Sequence, residues 1–235
     1  MNIEEISNQI IFQEKEHRYF WNNQELTSVS LLISNYKPIF DPQGHIVRAV
    51  AKRDGISESQ VKINWEKIKV DACSKGHDFH SQAEHFIKTG EILDGTYKDV
   101  VETFSKIKFP GPLKSEIMLF SEVYKIAGTA DLVCLINDKD IELGDFKTNK
   151  KINLKSKYGN KLLYPLEHLD ASEINIYSIQ LGLYKYMLEE FGYNVKKITL
   201  HHINPETRNI DSYDIKYLKK EIKDVLEHFQ SINEF

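Results

Sequence analysis

Three charged side chains, Asp131, Asp145 and Lys147, interrupt two apolar runs in residues 128–150. These read Gly-Thr-Ala-Asp-Leu-Val-Cys-Leu-Ile, then Asn-Asp-Lys-Asp, then Ile-Glu-Leu-Gly-Asp-Phe-Lys-Thr-Asn-Lys. Apolar β-formers on both sides of a short polar cluster predict two strands joined by a tight turn. Strand side chains alternate faces, so Asp131 shares a face with Val133 and Leu135, and Asp145 shares one with Ile141, Leu143 and Lys147. With Asn137, Asp138 and Lys139 as the loop, Ile136 opposes Asp140, and the same register sets Asp131 opposite Asp145. Like charges so placed destabilise a sheet.

A shared proton, a basic neighbour or a bound divalent cation would each relieve that repulsion. Lys147 offers the second remedy without excluding the third. Oxygen donors at a site that can keep water favour Mg2+ or Mn2+ over zinc. A hydrated hard cation beside a lysine suits phosphodiester hydrolysis, in which the cation activates water and the ammonium positions it or offsets developing charge. A surface ion pair in an ordinary hairpin would leave the same trace in sequence.

The elements that must hold these residues follow from the rest of the chain. At 235 residues and 41% hydrophobic content there is enough for one core, so residues 1–235 are expected to form a single domain, with residues 1–63 as an N-terminal hairpin and helical elaboration. The net charge of -4 carries no global basic signature, so any nucleic-acid site must be a local positive groove. Two cysteines, Cys73 and Cys134, both among apolar neighbours, argue against a disulfide framework and for a reducing, cytoplasmic setting. They are too few for four-thiolate ligation of an iron–sulfur cluster. No apolar run has membrane-spanning length.

Ile10-Ile11-Phe12 and Tyr19-Phe20-Trp21, with Asn22-Asn23-Gln24 as the turn, predict a small hairpin, and Thr27-Ser28-Val29-Ser30 caps a short helix toward Tyr36. Short helices are expected over residues 45–63, broken at Asp54-Gly55. Trp65, Ile68, Ala72, Phe79, Ala83, Phe86 and Ile87 then give helical periodicity over residues 64–88. Gly76, His80 and Glu84 are spaced by four on one face of that helix. A further helix is expected over 96–108, a strand over 113–124 with Glu116 near its start, a helix over 173–191 stopped by Gly192, a strand over 198–203 with structural histidines His201 and His202, and an amphipathic helix over 214–235. Tyr177, Gln180, Leu181, Tyr184 and Leu188 form one helical stripe, on which a glutamine must find a partner. Lys150, Lys151, Lys155, Lys157 and Lys161 concentrate positive charge just after the Asp145–Lys147 strand, the composition of a sequence-independent phosphate contact.

In order, the chain carries Gly-x-x-x-His-x-x-x-Glu from Gly76, Gly128-Thr-Ala-Asp131, Asp145-Phe-Lys147-Thr148 and Gln180-x-x-x-Tyr184. This succession resembles the motifs of the PD-(D/E)XK nuclease superfamily, in particular its RecB-like exonuclease branch, over residues from about 10 to 205. The resemblance implies an α/β fold, a mixed central β-sheet flanked by helices, and an exonuclease acting on single-stranded DNA ends in replication, recombination or repair. It implies His80, Asp131 and Asp145 as metal ligands with the Phe146 carbonyl, Lys147 orienting the nucleophilic water, and Gln180 and Tyr184 positioning DNA. Glu116 is a secondary candidate, and Glu84 is either an acid behind the ligands or an ordinary helix carboxylate. An endonuclease or flap-cutting enzyme on the same core is an alternative, and a non-catalytic nucleic-acid-binding module a more distant one.

Overall fold

The structure, a computed structural model, describes residues 1–38, 44–156 and 159–233. After a capped N-terminal turn of helix, α1 (Ile3–Ser7), the chain enters an antiparallel meander of β1 (Ile11–Gln13), β2 (Arg18–Trp21) and β3 (Gln24–Ser28). The expected hairpin is therefore three strands. Asn22 and Asn23 make its second turn with φ of 48° and 63°, a left-handed pair that a two-residue hairpin loop requires and asparagine tolerates. Ser28 ends β3 and caps α2 (Val29–Ser34), its Oγ accepting the Leu31 N–H at 3.2 Å.

Next come α3 (His45–Asp54), stopped by Gly55 in the left-handed conformation, and α4 (Glu58–Thr89). The latter starts six residues before the expected Asn64, because Ser57 caps it through the Gln60 N–H at 3.1 Å. At 32 residues it is about 48 Å long. Its expected apolar stripe is only half used. Phe79 and Ala83 are buried, whereas Ile68 is 66% exposed, Ala72 is exposed, and Trp65 packs with Val47, Ala51 and Val61 in a small separate cluster. Cys73, expected among apolar neighbours, is exposed on this helix; Cys134 is buried.

The rest of the chain is α5 (Lys98–Phe104), β4 (Leu113–Ser121), β5 (Ile126–Leu135), β6 (Asp140–Lys147), α6 (Glu173–Glu190), β7 (Asn194–Ile203), β8 (Ile210–Asp214) and α7 (Lys219–Asn233). The strand β8 was not foreseen; the C-terminal helix expected from Asp214 begins at Lys219, and β8 ends at Asp214. Its sequence, Ile-Asp-Ser-Tyr-Asp, is that of a polar edge, where one side of the ladder and much of both faces meet water.

The sheet is mixed and runs β1-β2-β3-β5-β6-β7-β8, with β4 added to β5. The β3–β5 and β6–β7 pairs are parallel and the others antiparallel. Helices α2, α6 and α7 cover one face over a core that includes Val133, Ile141 and Leu143. The C-terminal half of α4 and α5 cover the other, where Leu132 and Phe146 meet Phe79, Val100 and Phe104. The alternation expected for the central hairpin thus holds on both strands. Among the described residues no helix is long and apolar enough to cross a membrane.

Candidate functional site

A fork in the sheet places the charged residues. On one edge β5 pairs with β4 from Cys134 back to Ile126. On its other edge it pairs with β3 at Ile126 and Ala127 and with β6 from Leu132 to Leu135, which leaves residues 128–131 unpaired on that edge. Past Gly144, β6 continues on β7 alone, pairing Asp145 with Leu200 and Lys147 with His202. The ladder stops at Leu132 opposite Gly144, so Asp131 and Asp145 are next in line, in the register expected from the turn.

The same count on the other side adds a third acid. Ser115 opposes Leu132 and Ile117 opposes Ala130, so Glu116 faces Asp131, yet neither belongs to the ladder. Glu116, Asp131 and Asp145 therefore form one row across three strands. Glu116 has φ of 54°, a conformation that costs an L-residue roughly 1–2 kcal/mol and that takes it out of the strand pattern.

Each acid is held differently. Asp131 reaches across the fork, where its Oδ2 accepts the Phe146 N–H at 2.8 Å. Asp145 is 1% exposed and neither of its oxygens accepts a well-directed hydrogen bond; its contact is the Lys147 ammonium, 2.5 Å from Oδ2. Burial, with the Asp131 charge behind it, outweighs Lys147 and pushes the Asp145 carboxyl up to about 6. Burial acts the other way on Lys147, but Asp145 and Asp131 more than offset it and raise its pKa. The ammonium also lies 5.0 Å from the centre of the Tyr177 ring.

From α4, His80 directs Nδ1 to 3.7 Å from Asp131 Oδ2 and 4.0 Å from Glu116 Oε1. Burial lowers the pKa of His80, but Asp131, Glu116 and Asp145 override it and push it up to about 9. The helix can lie this close because of Gly76, one turn earlier, where a Cβ would stand 3.2 Å from Thr148 Oγ1 just beyond Lys147. One ligand atom each from His80, Glu116 and Asp131 fall within 4.8 Å of one another. Ligands on opposite sides of Mg2+ stand about 4.2 Å apart, so a small contraction would close this trio on a cation. The donor set of the trio is one imidazole and two carboxylates, which fits a hard or borderline divalent metal. Glu116, the secondary candidate, thus stands in the trio, whereas Asp145 is turned toward Lys147.

Other candidates are less central. Glu84 lines a groove of about 410 Å³ with Gly76, His80 and Glu116 but is ion-paired with Lys88. Gln180 Nε2 donates to the Tyr184 hydroxyl at 3.1 Å. Tyr184 is only 5% exposed, its ring against Gly128, where a Cβ would meet Cε1 at 2.7 Å. Tyr184 thus stands in the site's inner wall, with the partly exposed Gln180 as its polar tip. Lys150 is exposed and paired with Glu206 at 2.6 Å; Lys151 and Lys155 are exposed, and Lys157 lies outside the described residues. His201 and His202 are buried, one bonded to Ser212 Oγ at 2.9 Å and pushed down to about 4 by burial, the other bonded to the Asn149 carbonyl at 2.6 Å.

Sequence reasoning missed Tyr19, whose hydroxyl bonds Thr129 Oγ1 at 3.1 Å in the fork, and the place of Tyr177 beside Lys147. Tyr177 had a signal, since it precedes Gln180 by three residues on the same helical stripe. Tyr19 had none beyond its aromatic strand.

The chain matches no family model and no curated protein. The crystal structure of SSO0001 is similar to it with a TM-score of 0.42 and 19% sequence identity, over 90% of this chain and 78% of that one.

Proposed function

We propose that this chain is a divalent-metal-dependent deoxyribonuclease of the PD-(D/E)XK kind, acting on the ends of single-stranded DNA. The observation that carries the proposal is the row of Glu116, Asp131 and Asp145 at a fork in the sheet, faced by His80 and backed by Lys147. A binding module has no use for three carboxylates in register and a buried ammonium behind them, whereas a phosphoryl-transfer site uses both.

His80, Glu116 and Asp131 would hold Mg2+ or Mn2+, with Asp145 completing the set from inside. The cation, when bound, supplies Lewis acidity toward the phosphate and a more acidic water. Lys147, fixed between Asp145 and Tyr177, positions the nucleophilic water and offsets charge that develops on the phosphate. The Phe146 N–H holds the Asp131 carboxylate in one orientation, so the site is organised before substrate arrives. Gln180 faces the phosphate from the rim, and Lys151 and Lys155 add contacts that do not depend on sequence.

Digestion of end-labelled linear and circular single-stranded DNA with Mg2+ or Mn2+, with EDTA, and with Lys147→Ala tests this. Loss of the linear strand alone, dependent on metal and on Lys147, is the expected result. Cutting of circles would replace the exonuclease by an endonuclease on the same core. Bound but uncut DNA in every condition would overturn the hydrolytic assignment.

A further inference from the structure

One stripe of α4 is covered at both ends and bare between them. Val61 and Trp65 pack at one end with Val47 and Ala51 of α3, and Phe79 and Ala83 pack at the other with Val100, Phe104 and Phe146. Ile68 and Ala72 lie between, at steps of three, four and seven from these residues, so all six share one face of the helix. Yet residues 66–75 are all exposed, Ile68 at 66%. That length of helix rises about 15 Å. A notch of this width therefore opens under α4, with the α3 cluster as one wall and α5 with the end of β6 as the other.

A helical span that bridges solvent is ordinarily polar on every side and laced with ion pairs. Lys69–Glu66 at 3.7 Å and Lys75–Asp71 at 3.2 Å are pairs of that kind. Ile68 and Ala72 are not, since they carry the buried stripe across the gap. Charge and position narrow what fits there. Residues 45–75, which hold α3 and this half of α4, carry seven lysines and arginines against four acids, in a chain whose net charge is -4. Such an arm repels a second copy of itself and attracts a polyanion. Gly76, one turn past Ala72, joins the notch to the site: it lies against Thr148, just beyond Lys147, and lines the groove that holds His80 and Glu116.

Resting on the nuclease reading, we propose that the notch is the path of the single DNA strand away from the scissile phosphate. Ile68 and Ala72 meet bases and sugars. Lys75, seven residues past Ile68 on the same stripe, exchanges its exposed pair with Asp71 for a phosphate. From Ile68 to His80 the helix measures about 18 Å, so strands too short to span it gain nothing from the notch.

The test is fluorescence anisotropy of a fluorescein-labelled oligodeoxythymidylate of about 12 nucleotides, with calcium replacing magnesium and over a range of salt, for the full chain and for Ile68→Glu, Val70→Glu and Lys75→Gln. The two glutamate variants are matched in charge and exposure, Val70 being 58% exposed, but Val70 lies across the helix from Ile68. Ile68→Glu is expected to weaken binding roughly fivefold at low salt. Val70→Glu, its charge screened by solvent, is expected to stay within about twofold. Lys75→Gln is expected to reduce the slope of log affinity against log salt by about 0.7. If Ile68→Glu binds as the parent does while the parent digests DNA, the path is wrong and the nuclease reading stands. If both glutamates weaken binding equally, the arm supplies only a diffuse field and the path is again wrong. A parent that sediments as a dimer, dissociated by Ile68→Glu with DNA affinity unchanged, would give the notch to a second copy. Variants that lose binding as expected, in a parent that never cuts with magnesium, would leave the path standing and remove the nuclease. A parent that binds no single strand overturns both.

Discussion

The Lys147 ammonium lies 2.5 Å from Oδ2 of Asp145, two residues back on the same strand face, and it is that carboxylate's closest partner. Removing one partner from a buried pair leaves the other charge uncompensated, at a cost of about 3–5 kcal/mol unless it takes up a proton. Asp145, already raised toward 6, can do so. Lys147→Ala is therefore expected to cost less than that range at pH 5 and more at pH 8, measured by urea denaturation. Hydrolysis should fall at least about 100-fold, as for loss of a preorganised charge at a reacting centre.

The pH dependence of the metal-free protein follows from His80 and Asp145, both raised in the folded state. Such a group stabilises fully below its unfolded pKa, and the contribution is lost as pH rises through the folded value. For Asp145 the loss runs from about 3.8 to about 6, and for His80 from 6.5 to about 9. Stability of the metal-free protein should thus fall between pH 6.5 and 9, and His80→Gln should flatten that part of the curve. Manganese should reverse the trend, because His80 must lose its proton to bind it, so stabilisation by the metal grows toward pH 9.

Gly128 tests the inner wall. Gly128→Ala would set a Cβ 2.7 Å from Tyr184 Cε1, displace the ring and disturb its bond with Gln180. A loss of about 1–3 kcal/mol is expected by denaturation. In a double-mutant cycle with Tyr184→Ala, most of the Gly128→Ala cost should vanish. Independent, additive losses would mean that the close contact is not what glycine serves.

Glu116 combines an unfavourable backbone with a central place in the carboxylate row. Glu116→Gly should relieve the strain and stabilise the metal-free protein by up to about 1 kcal/mol, while manganese affinity, read by calorimetry, falls. Equal affinity in the variant would remove Glu116 from the metal set.

The central hairpin was legible in sequence because alternation and turn length together fix a register, and Asp131 and Asp145 are aligned as that register requires. The Ser28 cap and the Gly55 stop were legible for the same reason, each being a local hydrogen-bonding or dihedral requirement. The rank of Glu116 was not, because it depends on pairing with a strand reached through another turn and on a dihedral angle that sequence does not disclose. Nor was the depth of Tyr184, which the stripe on α6 predicts to face the sheet but which only the gap at Gly128 makes room for. The exposure of Ile68, which the periodicity of α4 counts as core, was not legible either.

The carboxylate row also sets which length changes the chain can bear. Residues 117–121 pair one to one with 126–130, and 132–135 with 141–144, so each acid lies one step past a ladder that is counted back from its turn by equal steps. Extra residues in either turn leave those steps equal and the acids aligned. One residue inserted within either arm shifts an acid by one place and, with a period of two, turns it to the opposite face of the sheet. The turns can therefore drift in length while the arms cannot.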